Sequence, residues 1–232
     1  MKRLGGMLAL IPLALAPWAR AADKPLFPFK EENLTYAIRG PGGVSLGDAH
    51  LRARATPGGW EFDFWLDAGV PGYSLSDRYR AASSPRLCSL ELQKDTTHGR
   101  RETHEKTTFD YTEATATRET TGGGKTETPI PACARDGLTF LFFARSELAQ
   151  GRVPPPQTVM EGASYQVQIE SAGVQAIQVG GKTEEADREV ISVKGPASDL
   201  SFEAYFARDK VRTPLVVSCP FSMGILSLEL VR

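Results

Sequence analysis

Histidine is scarce in this chain, which holds only three histidines, His50, His98 and His104, among 232 residues. A zinc site needs three or four convergent ligands. A turn expected at Gly99 would place His98 and His104 on opposing strands, where they would not share a metal ion. We therefore predict no metal site and no cofactor.

Complete catalytic motifs are also lacking. Residues 43–47 (GVSLG) match the G-x-S-x-G pattern of hydrolases, which requires a helix directly after the serine, but residues 49–54 alternate as a strand does. Residues 122–126 (GGGKT) resemble the end of a phosphate-binding loop, yet Glu119 stands where that motif has its first glycine. No catalytic set emerges, and a hydrolase is a minor alternative.

Long apolar runs are missing except at the amino terminus. Two basic residues precede the uncharged residues 4–18, and small residues follow up to Ala21. A positive start, a short apolar core and a small-residue cleavage site are typical of a secretory signal peptide. We predict a signal peptide over residues 1–21, cleaved between Ala21 and Ala22.

A membrane anchor is the alternative for the same segment. Its apolar run of about 15 residues falls short of the roughly 20 needed to span a bilayer, and Pro12 and Pro17 interrupt it. The first cysteine is Cys88, so the cleavage site lacks the cysteine of a lipoprotein. The mature protein is therefore expected in the periplasm or secreted.

The remaining residues, 22–232, suit one domain by their length, with two small domains as the alternative. Removal of the signal peptide takes away three basic and no acidic residues, which changes the formal charge from −1 to −4. A mildly acidic chain has no general attraction for nucleic acid or anionic lipid. We predict a soluble mature domain with no nucleic-acid partner and no membrane span.

The three cysteines are an odd number for a compartment in which disulfides persist. Cys88 and Cys133 bracket a long polar stretch whose ends a hairpin-type layout would bring together, so they are the preferred disulfide. Cys219 would then be a free thiol. It belongs to residues 215–219, which are typical of a buried strand with no histidine nearby in sequence, so packing is its expected role.

Alternation of apolar and polar residues dominates the rest of the chain. Residues 60–67 (WEFDFWLD), for example, place Trp60, Phe62 and Phe64 on one face and Asp63 on the other. Glycine, proline and aspartate bound such runs, which favours tight turns and antiparallel neighbours. About a dozen short strands are predicted, among them residues 34–38, 165–169, 177–179, 191–193, 202–206 and 226–230.

Residues 96–128 form the most biased stretch, with twelve threonines among alternating charges and few large apolar side chains. Threonine favours strands through its branched Cβ. We predict a polar, Thr-rich hairpin that stands out from the core. Disorder at its glycine tip, residues 122–124, is the alternative.

One segment breaks the strand pattern. Asp136 can cap a helix, Gly151 can end it, and the prolines at residues 154–156 prevent its continuation. The spacing predicts one long helix over about residues 136–150, and its nearly all-round apolar character indicates burial. The predicted fold is mainly β: a strongly curved antiparallel sheet or open barrel-like domain with this helix buried against or inside it.

The order of several short motifs resembles the bacterial exported family called domain of unknown function 3108. The resemblance implies a β-rich protein of the cell envelope and brings no activity with it. The motifs are residues 31–36 (EENLTY), Gly47, residues 109–110 (FD), residues 136–139 (DGLT) with Arg145, residues 212–214 (RTP) and Gly224.

Asp136, Arg145 and Arg212 within those motifs are the candidate ligand-binding residues. An arginine in a nearly all-apolar helix must find an acceptor or project to solvent. These side chains can therefore brace the helix against the sheet through carboxylates, or they can anchor a ligand. The sequence leaves both interpretations open.

Aromatic residues concentrate on single strand faces, at Trp60, Phe62, Phe64, Phe202 and Phe206. They favour an apolar concavity, although any core needs such residues. We expect a non-enzymatic binding module for an apolar or lipid-like envelope molecule. The main alternative is an envelope scaffold or assembly factor that binds protein partners through an edge strand or the Thr-rich hairpin.

Overall fold

The computed structural model describes residues 31–231 except residues 71, 197, 222 and 223. The predicted signal peptide, residues 1–21, lies outside the described residues. Strands account for most of what is described, with one α-helix and one short 3-10 turn at Pro41–Gly43. The elements in chain order are β1 Glu31–Arg39, β2 Ser45–Thr56, β3 Gly59–Val70, β4 Tyr73–Ser83, β5 Ser89–His98, β6 Arg101–Asp110, β7 Thr115–Thr120, β8 Gly124–Pro129, α1 Gly137–Ala149, β9 Gln157–Met160, β10 Ser164–Val179, β11 Lys182–Gly195, β12 Ser198–Ala207, β13 Pro214–Phe221 and β14 Gly224–Leu230.

All of these strands belong to one sheet, in which the described neighbours pair antiparallel. Its order is β8-β7-β6-β5-β4-β3-β2-β1-β14-β13-β12-β11-β10-β9, and it is not closed. Each strand therefore pairs with its neighbour in sequence, except where β1 pairs with β14 at the centre. This open, curved, antiparallel sheet confirms the predicted fold class.

The helix α1 links the two edges of the sheet, because β8 precedes it and β9 follows it. Asp136 caps its first turn by accepting a hydrogen bond from the Thr139 amide. After the helix, Gly151 adopts a positive φ of 75°, which favours glycine. The helix predicted over residues 136–150 is confirmed.

The face of the sheet that packs against α1 is called here the inner face. In β3, Phe62 is buried on this face, whereas Asp63 is on the outer face and pairs with Arg52 at 2.6 Å. Side chains along a strand alternate between the two faces. The apolar and charged sides predicted for residues 60–67 are therefore separated as expected.

The helix is packed on two sides, which explains its nearly all-round apolar character. Phe142 stacks on Phe62 of β3 with 4.0 Å between ring centroids, within a cluster that includes residues from most strands of the sheet. On the other side, Phe140 and Ala144 belong to a second cluster with Ile191 of β11. The helix α1 thus contributes side chains to two apolar clusters.

The Thr-rich stretch, residues 96–128, is more extensive than the predicted hairpin. It covers the end of β5, all of β6 and β7, and most of β8. Thr107, Phe109 and Ala116 are buried on the inner face, so part of this stretch belongs to the core. The prediction placed it outside the core because the threonine content hid the few large side chains, such as Phe109 and Tyr111, that pack in the core. Sheet pairing also buries a small polar side chain, Thr107.

The predicted disulfide between Cys88 and Cys133 is present, with Cα atoms 4.8 Å apart. It connects the turn before β5 to the segment that leads into α1. Cys219 in β13 is unpaired and half-buried, and burial raises the pKa of its thiol. The disulfide therefore fastens the entry to the helix to the sheet.

Replacing both Cys88 and Cys133 with serine should lower the free energy of unfolding. The disulfide spans 45 residues of sequence, and a loop of that length stabilises the folded state by about 2–4 kcal/mol. Urea denaturation of the mature protein measures the change, and Cys219→Ser serves as the matched control with little effect. An unchanged denaturation midpoint in the double variant would contradict this role.

Candidate functional site

An apolar groove of about 450 Å³ lies between α1 and the inner face of the sheet. Its helix wall is formed by Phe140, Leu141 and Ala144. Its floor comes from β10, β11, β12 and β13, and nearly all the side chains that line it are apolar. The floor residues include Val167, Ile169, Ile191, Val193, Phe202, Ala204, Phe206 and Val217.

Small residues on both walls contribute to the width of the groove. Ala144 of α1 and Ala204 of β12 both line it. On the opposite side of the helix, Phe142 and Phe62 occupy the corresponding space. The helix therefore packs tightly against one half of the sheet and leaves a cavity against the other.

Arg145 is fully buried and is held by groups from two other segments. Its guanidinium donates two hydrogen bonds to the Glu32 carboxylate, at 2.6 and 2.7 Å. Its Nε also donates to the backbone carbonyl oxygens of Val211 and Arg212, at 3.1 and 3.0 Å. This geometry is that of a brace between the helix, β1 and the segment before β13.

Asp136 is also fully buried and organises the start of the helix. Its carboxylate accepts hydrogen bonds from the Thr139 amide and hydroxyl, at 2.9 and 2.7 Å, and from the Ser89 hydroxyl. Burial raises the pKa of this carboxyl group, although the hydrogen bonds from Ser89 and Thr139 oppose the shift. Asp136 thus joins α1 to β5.

Arg212 forms an ion pair with Asp187 of β11, and its Nε atom is buried without a hydrogen-bond partner. Asp187 pairs across the sheet with Phe206, which lines the groove. None of the three predicted site residues lines the groove itself. Arg145 follows the groove residue Ala144, Asp136 precedes the groove residue Gly137, and Arg212 pairs with Asp187, whose partner Phe206 lines the floor.

Glu189 is a buried acidic residue that the sequence analysis missed. It is 2% exposed, and its Oε2 atom has no hydrogen-bond partner. It stands opposite Ala204 in the β11–β12 ladder, two residues from Ile191, and both neighbours line the groove. Burial raises the pKa of its carboxyl group, and the nearby Asp187 adds to the shift, whereas a side-chain hydrogen bond from Ser171 and the charge of Arg212 oppose it. The signal available in the sequence was its parity with Ile191 and Val193.

The other end of the groove is occupied by an ionic network. Glu161 accepts a hydrogen bond from the Gly137 amide at 3.2 Å and pairs with Lys94 at 3.0 Å. Lys94 also meets Glu105, which pairs with Arg118. Burial acts to lower the pKa of Lys94, but the two carboxylates raise it overall. The network therefore connects β5, β6 and β7 to the turn before β10 across the open side of the sheet.

The histidines and the serine of the hydrolase-like motif do not converge. His50 stacks on Trp65 at 4.8 Å between ring centroids and lies 3.2 Å from the Thr35 hydroxyl. Ser45 begins β2, so the helix required after a nucleophilic serine is replaced by a strand. Within residues 31–231 as described, no cluster of three or more His, Cys, Asp or Glu side chains could hold a metal ion. The described helix is too short to cross a membrane.

An open antiparallel sheet holds a helix on its inner face and leaves an apolar groove between them. This arrangement defines a mainly β protein with the apolar groove as its leading candidate site. Comparison with known proteins places it more specifically. The chain belongs to the family described as protein of unknown function (DUF3108), whose model matches residues 35–231. No curated protein and no solved structure matches it.

Replacing Arg145 with methionine should lower the free energy of unfolding by about 3–5 kcal/mol, because Glu32 would be left as a buried, unpaired charge. Chemical denaturation measures the loss. The matched control is Arg54→Met, which breaks the exposed ion pair with Glu61 and should have little effect on stability, because water screens exposed ion pairs.

Adding Glu32→Leu to Arg145→Met should restore part of the lost stability, since the unpaired carboxylate is then removed. A brace is contradicted if Arg145→Met is no more harmful than Arg54→Met.

Proposed function

We propose that this protein is an exported envelope protein that binds an apolar or lipid-like molecule in the groove between α1 and strands β10–β13. The observation that carries the proposal is the groove itself, about 450 Å³ of space with almost entirely apolar walls. Ligand pockets in proteins are typically about 300–1,000 Å³ and mainly apolar. The size at the lower end of that range favours a single aliphatic chain.

The energetics support the same kind of ligand. Each methylene group removed from water contributes about 0.8 kcal/mol, so a chain of roughly ten carbons would gain several kcal/mol. Few polar groups line the apolar part of the groove, so recognition there depends on shape and hydrophobicity. Such a site suits an aliphatic chain better than a peptide, whose backbone needs hydrogen-bond partners.

The scaffold alternative has less support. Its natural docking point is the outer edge of β8, but this strand is only six residues long and carries an exposed Lys125–Glu127 ion pair at 3.0 Å. Short, charged edge strands are a common protection against pairing with another chain. The apolar groove is therefore the stronger candidate.

Export to the periplasm is supported by the amino-terminal sequence and by the disulfide. Residues 1–21 have the order of charge, apolar run and small residues of a signal peptide. The Cys88–Cys133 disulfide suits an oxidising compartment. A ligand available there is a component of the envelope rather than a cytoplasmic metabolite.

Filling the groove should abolish binding. Ala204→Phe places a ring in the cavity from the floor and should weaken the binding of N-phenyl-1-naphthylamine, an uncharged fluorescent apolar probe, at least tenfold. The matched control is Ala176→Phe, which adds the same ring at an exposed position of β10 and should leave the affinity unchanged. Fluorescence titration of the mature protein measures both.

Thermal unfolding of Ala204→Phe verifies that the variant is folded. Equal affinity in the two variants, or no binding by the unmodified protein, would contradict the proposed function. Organic extraction of protein purified from a bacterial envelope fraction should also release a bound aliphatic molecule.

Expression of the full chain in a Gram-negative bacterium should yield a periplasmic protein whose intact mass corresponds to residues 22–232. Leu10→Arg introduces a charge into the apolar run and should leave the uncleaved chain in the cytoplasm, whereas Leu10→Val should be exported normally. An uncleaved protein retained in the membrane fraction would instead indicate an anchor.

A further inference from the structure

Four connections between neighbouring strands lie side by side at one end of the sheet. They join β5 to β6, β3 to β4, β1 to β2, and β13 to β14, and these strands are consecutive in the sheet order. Adjacent connections also meet directly. The Gly99 amide donates a hydrogen bond to the Ser74 carbonyl oxygen at 2.8 Å, and Gly224 lies against the Pro41 ring. The four connections therefore form one continuous surface.

Large apolar side chains are exposed along this surface. Val44, Val70, Tyr73 and Ile225 are between 49% and 62% exposed, and each lies in one of the connections or within two residues of it. The connections at the opposite end of these strands, residues 57–58, 84–88 and 208–213, contain no exposed large apolar side chain. Single exposed apolar residues are ordinary, but a contiguous set marks an interaction site.

The charges at this end of the sheet are basic at the tips and acidic only farther back. Arg100 and Arg101 are both exposed where β5 turns into β6. None of the residues that connect the four strand pairs is acidic. Asp48 and Asp67 pair across β2 and β3, three residues in from the tips, which is about 10 Å at the rise of a strand. The predicted mature chain is acidic overall, so this local excess of positive charge contrasts with the rest of the molecule.

These apolar and basic residues together are called here the turn rim. The turn rim consists of Val44, Val70, Tyr73, Arg100, Arg101 and Ile225.

We propose that the turn rim docks on the surface of a phospholipid membrane that contains anionic lipid. Apolar side chains that enter the interfacial layer and basic side chains that meet anionic headgroups are the two contributions to such binding. Tyrosine is enriched at the level of the headgroups, which suits Tyr73. The guanidinium groups of Arg100 and Arg101 match the geometry of phosphate oxygens.

A lipid surface fits the turn rim better than a protein partner does. Each connection is two strands from the next, so neighbouring tips are about 10 Å apart. Lipid is fluid and fills the space between such tips, whereas a protein partner must match them at the packing density of a protein interior. The turn rim therefore favours a bilayer over a second copy of this chain.

This inference goes beyond the proposed function and does not depend on the groove. No residue of the turn rim lines the groove, whose walls come from α1, the β9–β10 connection and β10–β13. Turn-rim variants should therefore bind N-phenyl-1-naphthylamine with unchanged affinity. Loss of vesicle binding and loss of probe binding are thus separate results.

The test is flotation of the mature protein with phosphatidylcholine vesicles, prepared with or without phosphatidylglycerol. We expect binding to the vesicles that contain phosphatidylglycerol. Binding should weaken as the salt concentration rises, because salt screens the attraction between arginine and anionic headgroups. Absence of binding to both kinds of vesicle would overturn the proposal.

The apolar contribution is tested by Val44→Asp combined with Val70→Asp, which should weaken vesicle binding at least about tenfold. The matched control combines Val153→Asp with Val174→Asp. These two valines are also exposed but lie outside the turn rim, so the control makes the same change in charge and apolar area and should bind normally. An equal loss in both double variants would contradict docking through this surface.

The basic contribution is tested by Arg100→Gln combined with Arg101→Gln. This variant should bind the vesicles that contain phosphatidylglycerol at least about tenfold more weakly. The matched control is Arg208→Gln with Lys210→Gln, which removes two exposed positive charges from the opposite end of the sheet and should retain binding. Equal binding by both variants would show that Arg100 and Arg101 do not meet the headgroups.

Sedimentation velocity distinguishes a bilayer from a second copy of the chain. The unmodified mature protein should remain monomeric in the absence of vesicles. A dimer that Val44→Asp with Val70→Asp abolishes would instead make the turn rim an interface between copies, and the proposal would be wrong. Thermal unfolding of each variant should match the unmodified protein, because all the substituted positions are exposed.

Discussion

The buried ion pair between Arg145 and Glu32 determines where the helix lies, and the remaining architecture follows from that position. Glu32 belongs to β1, at the centre of the sheet, so the pair holds α1 near the midline of the inner face. The Arg145 bonds to the carbonyl oxygens of Val211 and Arg212 add the segment before β13. Since charged partners tolerate little displacement in a dry interior, the helix cannot shift to close the groove without breaking this pair.

A fixed helix and an open sheet explain why the two halves of the interior are packed differently. Phe142 and Phe62 stack where the helix meets β3, which fills that half. On the other half the contacting residues include Ala144 and Ala204, and space is left between them. Well-packed interiors have few voids larger than a water molecule. An apolar groove left open beside a densely packed core departs from this pattern, as is common at functional sites.

Local signals in the sequence predicted much of the fold. The cap at Asp136 and the stop at Gly151 depend only on near neighbours, and the alternation in residues 60–67 needs only the strand period. The groove could not be predicted in this way, because it depends on which strands face the helix and on residues from α1 and four strands lining one space. Glu189 was missed for the same reason. That it shares a face of β11 with Ile191, opposite Ala204, is known only from the strand register.

The two ends of the groove differ in the polar groups that lie near them. At the end near Gly137, Lys94 and Glu161 form an ion pair. This pair links β5 to the turn before β10, and Glu161 also accepts a hydrogen bond from the Gly137 amide. Near the other end, Glu189 Oε2 and Arg212 Nε are buried without hydrogen-bond partners, although neither residue lines the groove. Apolar walls supply affinity but little orientation, whereas unsatisfied polar atoms supply orientation at a cost in stability. The apolar lining is therefore the feature of this groove that favours an aliphatic chain.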